Sequence, residues 1–152
     1  MPRGLRISIP WLAATGAVAV AIWANSLVPG AGSDAASRQV ASSLQDMLAA
    51  LGAGGAWMSN LLVRKMGHLL EYTLLGAVAA RACSPEGRAG RRELVLLVAL
   101  LALVPAIDET IQLFVPGRSG RIADVLLDWC GCTLGAAISL ALIRRYRRRQ
   151  AR

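Results

Sequence analysis

Apolar residues in this chain come in long blocks separated by short polar connections. Four blocks, at about residues 6–27, 61–81, 93–115 and 122–143, reach or nearly reach the ~20 residues an α-helix needs to cross a bilayer. Between the first two lies a polar segment with a helical stripe. Val40, Leu44, Met47, Leu48 and Leu51 share one face, and Arg38, Gln39, Ser42, Gln45 and Asp46 fall elsewhere. Ser33 or Asp34 is placed to cap that helix, and Gly52, Gly54 and Gly55 to end it. The pattern predicts an all-α polytopic membrane protein forming one domain over residues 1–152. It has four transmembrane helices, a short amphipathic helix at about 35–52 in the outer interface or over it as a lid, and a basic tail at 144–152.

Composition agrees, since 55% of the 152 residues are hydrophobic and the four blocks leave no room for a separate soluble domain. A net charge of +8 raises the question of nucleic acid, but the arginines stand in short runs beside the apolar blocks rather than on a soluble face. They read as topology signals, and no nucleic-acid partner is expected. Arg3 and Arg6, then Arg81, Arg88, Arg91 and Arg92, then Arg144, Arg145, Arg147, Arg148, Arg149 and Arg152 put twelve of the seventeen basic residues on one side. By the positive-inside rule both termini are cytoplasmic. The first block has features of a signal peptide, with Ala24-Asn25-Ser26 resembling a cleavage site. Its apolar core exceeds the ~7–15 residues usual there, and Trp11 and Trp23 sit near its ends as interface anchors, which favours a retained span. Cys83, Cys130 and Cys132 show no disulfide pattern and read as small apolar fillers.

The stretch Asp108–Asp128 departs from this scheme by placing Asp108, Glu109, Arg118, Arg121, Asp124 and Asp128 in and between two membrane helices. An ionisable group at mid-depth costs ~2.5 kcal/mol or more, so each of these needs a partner or a wet cavity. The second block is polar on one face too. Lys65, the only lysine, His68, the only histidine, and Tyr72 follow the i, i+3, i+7 rule, with Glu71 beside them and Ser59 or Asn60 as the cap. In the third block Pro105 is expected to kink the helix, and Asp108, Glu109 and Gln112 share an arc beyond it. A Pro116-Gly117 turn reverses the chain, and Asp124 and Asp128 stand one turn apart at the start of the fourth block, ahead of Gly131, Cys132 and Gly135. With the predicted topology all these groups fall at one outer level. Lys65 is expected to pair with Asp108, Glu109 or Asp124.

In this order and spacing, Lys65-x-x-His68, Tyr72, Leu75-Gly76, Asp108-Glu109-x-x-Gln112, Pro116-Gly117-Arg118, and Asp124 with Gly131 and Gly135 resemble the VanZ-like family of bacterial membrane proteins. Asp128 stands where that family commonly has Asn. The resemblance implies a multi-pass protein of the bacterial cytoplasmic membrane with a role at the cell envelope, since the family is named for a member associated with low-level teicoplanin resistance. It supplies no reaction and no cofactor.

Three functions compete on these residues. The first is binding or modification of an anionic membrane lipid or lipid-linked envelope precursor. Lys65, Arg118 and Arg121 would hold phosphate, and His68 with Asp108 or Glu109 would form an acid/base pair. Tyr72, Gln112, Asp124 and Asp128 complete the ligand-binding set. The second is a non-enzymatic structural or interaction protein whose charged layer locks the bundle. The third, a proton-coupled transporter, is disfavoured by the apolar inner half of every helix. A metal held by His68, Glu71, Asp108 and Asp124 lacks a recognisable ligand spacing, so none is assigned.

Overall fold

The computed structural model describes residues 6–151, so Arg3 and Arg152, which the topology argument used, lie outside the described residues. Five helices follow one another: α1 (Ile9–Ser26), α2 (Gly30–Ala50), α3 (Asn60–Cys83), α4 (Arg91–Leu113) and α5 (Ile122–Gln150). Among the described residues there is no strand. By length and composition α1, α4 and α5 can cross a membrane. The 24 residues of α3 would rise about 36 Å at ~1.5 Å each, enough for a span, but the charges along its first half set it apart from the other three.

This helix is the hub of the bundle. It packs most extensively on α5 and also touches α1, α2 and α4. The α3–α5 seam works because small residues stand where the helices cross. A Cβ at Gly131 would lie 2.9 Å from the Leu69 carbonyl oxygen, and one at Gly76 or Gly135 would overlap the backbone of Cys132 or Thr73. The opposite face of α5 carries Leu126, Trp129, Leu134, Ile138 and Leu142, all exposed, while Asp128, Cys132 and Ser139 are buried. α4 repeats the arrangement, with Val95, Val98, Leu103 and Ile107 outside and Asp108, Glu109 and Gln112 inside. Large side chains outward and polar ones inward make a surface suited to lipid.

Several boundaries differ from the sequence expectation. The basic tail is no separate segment, because α5 runs on through Arg144–Arg149 to Gln150. Arginine is a good helix former, and cations at a C-terminal end suit the helix dipole. α2 begins at Gly30, directly after Pro29, without a side-chain cap, so neither Ser33 nor Asp34 caps it. Only Ala41 is buried in α2, while Val40, Met47 and Leu51 of its apolar stripe are exposed. Trp23 is no simple interface anchor, because its indole N–H donates to the Val104 carbonyl at 3.2 Å. Pro105 lies fully buried inside α4, which runs unbroken from Arg91 to Leu113. Cys83 and Cys132 are buried fillers, whereas Cys130 is exposed.

At the arginine-rich end the cations tie neighbouring segments together. Arg6 pairs with Glu86 at 3.1 Å and gives its backbone N–H to Glu93 at 2.9 Å. Arg144 donates to the Gly87 carbonyl at 2.8 Å, and Arg81 lies 4.8 Å above the Trp11 ring.

Candidate functional site

Antiparallel packing brings the first half of α3, the end of α4, the start of α5 and the end of α1 to the end of the bundle away from the arginine clusters. Local capping fixes each piece. Ser59 Oγ accepts the Leu62 N–H at 3.2 Å and starts α3, selecting Ser59 over Asn60. The Glu109 carboxylate accepts the backbone N–H of Arg121, the residue that opens α5, and so ties the two arms of the α4–α5 turn together. Gly117, at φ +75°, lets that turn close and approach Gly30. The Gly30 N–H donates to the Pro116 carbonyl at 2.9 Å.

The charged groups form two layers. In the outer one Lys65 Nζ donates to Asp124 Oδ1 at 2.6 Å, which selects Asp124 from the three expected partners. Arg64 pairs with Asp34 at 3.1 Å, and Arg38 reaches the same carboxylate at 3.3 Å. Arg118 donates through Nε to the Val28 carbonyl at 3.0 Å and through Nη2 to that of Asn25 at 2.8 Å. Burial, and after it the charge of Arg64, pull the Arg118 guanidinium below its ordinary pKa.

The inner layer is polar and almost fully buried. Tyr72, Asp108 and Asp128 are fully buried, and Gln112 is 4% exposed. Gln112 Nε2 donates to Asp108 Oδ2 at 3.1 Å and to Ser26 Oγ at 3.3 Å. His68 Nδ1 lies 3.4 Å from Asp128 Oδ1, so the carboxylate nearest the imidazole belongs to Asp128 and not to the expected Asp108 or Glu109. The His68 ring stacks at 6.3 Å on that of Tyr72. Ligand atoms of His68, Asp108 and Asp128 all lie within 4.8 Å of one another. That trio differs from the set considered from sequence, because Glu71 instead accepts from Asn25 Nδ2 at 3.3 Å and Asp124 is held by Lys65.

His68 also reaches outward. It helps line a hollow of about 370 Å³ between α2, α3 and the Arg118 turn, with Arg64, Glu71, Arg118 and Asn25 as polar walls and Val28, Val40 and Val63 as apolar ones. A larger hollow of about 880 Å³ lies at the opposite end, among Arg81, Arg145, Arg147 and Arg149. It holds none of the polar cluster.

A VanZ/LLP1 family model matches residues 11–144. The chain belongs to the VanZ/LLP1 family. No curated protein and no solved structure matches it. Membership together with the apolar helices makes it a membrane protein.

Of the sequence-derived site residues, His68, Tyr72, Asp108, Gln112 and Asp128 meet in the inner layer, and Lys65, Arg118 and Asp124 in the outer one. Glu109 is turned to the α4–α5 connection, and Arg121 is exposed and contributes its backbone N–H there. Sequence reasoning did not select Asn25, Ser26, Asp34 and Arg64 as site residues. The available signal was a pair of polar residues closing the first apolar block and an aspartate early in an otherwise small-residue helix.

Proposed function

We propose that this is a four-span protein of the bacterial cytoplasmic membrane with both termini in the cytoplasm, and that it binds an anionic envelope lipid or lipid-linked precursor at its outer face. The fourth span is α3, whose charged first half is paired with Asp34, Asp124 and Asp128 of the helices around it. The observation that carries the binding reading is the hollow bounded by Arg64 and Arg118 with apolar walls on the α2 side. A phosphate headgroup suits two guanidinium forks, of which Arg118 has committed only two of its five N–H donors. An acyl or prenyl chain suits Val28, Val40 and Val63. His68 is the one side chain shared by the hollow and the buried carboxylates, which makes it the group placed for proton transfer to or from a bound headgroup.

Protein in nanodiscs tests the binding reading. Wild type is expected to bind phosphatidylglycerol or a polyprenyl phosphate over phosphatidylcholine, and the double variant Arg64→Ala/Arg118→Ala to lose that preference. Equal binding of anionic and zwitterionic lipid by the wild type would refute it. In cells, deletion is expected to alter glycopeptide susceptibility, and His68→Ala to reproduce the deletion if a proton is moved.

A second reading, in which the charged layer only locks the bundle, is favoured by the links Gln112–Asp108, Gln112–Ser26 and Glu109–Arg121. Under it, substitutions in the layer lower abundance and phenotype together, and lipid preference does not change at constant abundance.

A further inference from the structure

We propose that His68, Asp108 and Asp128 form a binding site for one divalent metal ion of the Zn2+ or Mn2+ class, buried beneath the outer hollow. One ligand comes from each of α3, α4 and α5, and the three ligand atoms lie within 4.8 Å of one another. Both aspartates are fully buried. Asp108 Oδ1, both Asp128 carboxylate oxygens and His68 Nδ1 are buried and make no hydrogen bond to any described residue. The Tyr72 hydroxyl beside them is in the same condition. Two carboxylates cannot both stay ionised in such a place without a cation; protonated His68 supplies at most one charge, and the other basic groups belong to the outer layer, Lys65 on Asp124, Arg64 on Asp34 and Arg118 on backbone carbonyls. A divalent ion matches their combined charge.

Local geometry points the same way. The 3.4 Å between His68 Nδ1 and Asp128 Oδ1 is long for an N–H···O bond. It is about the ~3.3–3.5 Å that separates two ligands on a shared tetrahedral ion. Gln112 holds Asp108 by Oδ2 and leaves Oδ1 bare, as an outer-sphere amide that orients a metal-bound carboxylate would. One imidazole with two carboxylates suits Zn2+ or Mn2+ better than Ca2+ or Mg2+, which favour oxygen alone. Three protein ligands leave a position for water or a ligand atom, and His68 marks the side that opens to the hollow. The spacing carries no signature in sequence because no two ligands share a helix. This proposal stands on the buried trio and does not depend on lipid binding.

The test measures metal in the full-length protein purified in detergent without added lipid, by elemental analysis as isolated and by equilibrium dialysis against Zn2+ alone and Mn2+ alone. Wild type is expected to bind about one ion per chain. His68→Ala and Asp128→Asn should abolish stoichiometric binding, Gln112→Ala should weaken it by ~10–100-fold, and Asp46→Asn should leave it unchanged. Helical circular dichroism and monodisperse elution establish that each variant folds, with His68→Gln and Asp108→Asn replacing any that does not. Wild type that takes up neither ion, or uptake unchanged in the ligand variants, overturns the proposal and leaves the two carboxylates sharing a proton. Wild type that takes up neither ion yet prefers anionic lipid would overturn this inference alone. Metal uptake without lipid preference would overturn only the lipid reading.

Discussion

Lys65 Nζ sits 2.6 Å from Asp124 Oδ1, joining the first turns of α3 to the first turn of α5. Each charge alone would be a liability near hydrocarbon. The lysine lies near the positive end of its own helix, where a cation is disfavoured, while the aspartate lies near the positive end of α5, where an anion is favoured. The pair therefore places a carboxylate against two positive ends and a cation at once. Both side chains keep partial exposure, 43% and 29%, so the bridge is a register device between α3 and α5 more than a large source of stability.

Exchanging the two charges tests that role. Lys65→Asp and Asp124→Lys singly are expected to lower abundance and thermal stability, by about 1 kcal/mol each or somewhat more where the membrane excludes water. The double exchange should recover more than half of the loss. Thermal unfolding in detergent and quantitative blotting of membranes measure both, and a double variant no better than the worse single one would remove the pairing argument.

Close helix approach at Gly135 makes a second prediction. An added Cβ there would overlap the Thr73 carbonyl, so Gly135→Ala must push α5 off α3 and should cost ~1–3 kcal/mol. Gly16 lies in the interior of α1 with nothing within 4 Å of a Cβ, so Gly16→Ala should be neutral or slightly stabilising through helix propensity. Melting temperatures of the two variants compared with wild type decide the matter.

Topology is tested by accessibility in intact cells. In a background without Cys83, Cys130 and Cys132, Ser119→Cys in the α4–α5 turn should react with a membrane-impermeant maleimide added outside. Arg88→Cys in the α3–α4 connection should react only after permeabilisation. Equal labelling of both positions in intact cells would contradict a spanning α4.

Arg118 is expected to resist conservative replacement. Its guanidinium binds the carbonyls of Val28 and Asn25 through two different nitrogens, a fork that one ammonium cannot reproduce. Arg118→Lys should therefore lose most of the anionic-lipid preference that Arg118→Ala loses, while both remain folded. Full retention by the lysine variant would show that charge alone suffices there.

Much of this architecture is written in local pattern. The long Leu, Val and Ala blocks specify helices, and polar residues at i, i+3 and i+7 from Lys65 to Tyr72 mark one face of α3 as unsuited to lipid. Burial of Asp108, Glu109 and Gln112 on one side of α4, against exposed Leu103 and Ile107, follows from helical spacing alone. Even the ends of α3 and α4 were close to what capping and composition predicted. The continuation of α5 through its arginines was not, because charge marks membrane side and says nothing against helix.

Which polar group meets which was decided only by tertiary structure. Helical periodicity gives the azimuth of a side chain on its own helix, but pairing across helices depends on how far each slides and turns against its neighbours. That offset is set by Gly76, Gly131 and Gly135 locking α3 onto α5, and it carries Asp128 to His68 and gives Lys65 to Asp124. Asn25 and Ser26 entered the site for the same reason: α1 ends at its level, and a polar pair closing an apolar helix has no direction until the bundle is assembled. The sequence by itself determined the helices, the gathering of the polar groups at one end of the bundle and the family. The buried trio of His68, Asp108 and Asp128 exists only once three separate helices are packed, since no local spacing brings their ligand atoms together.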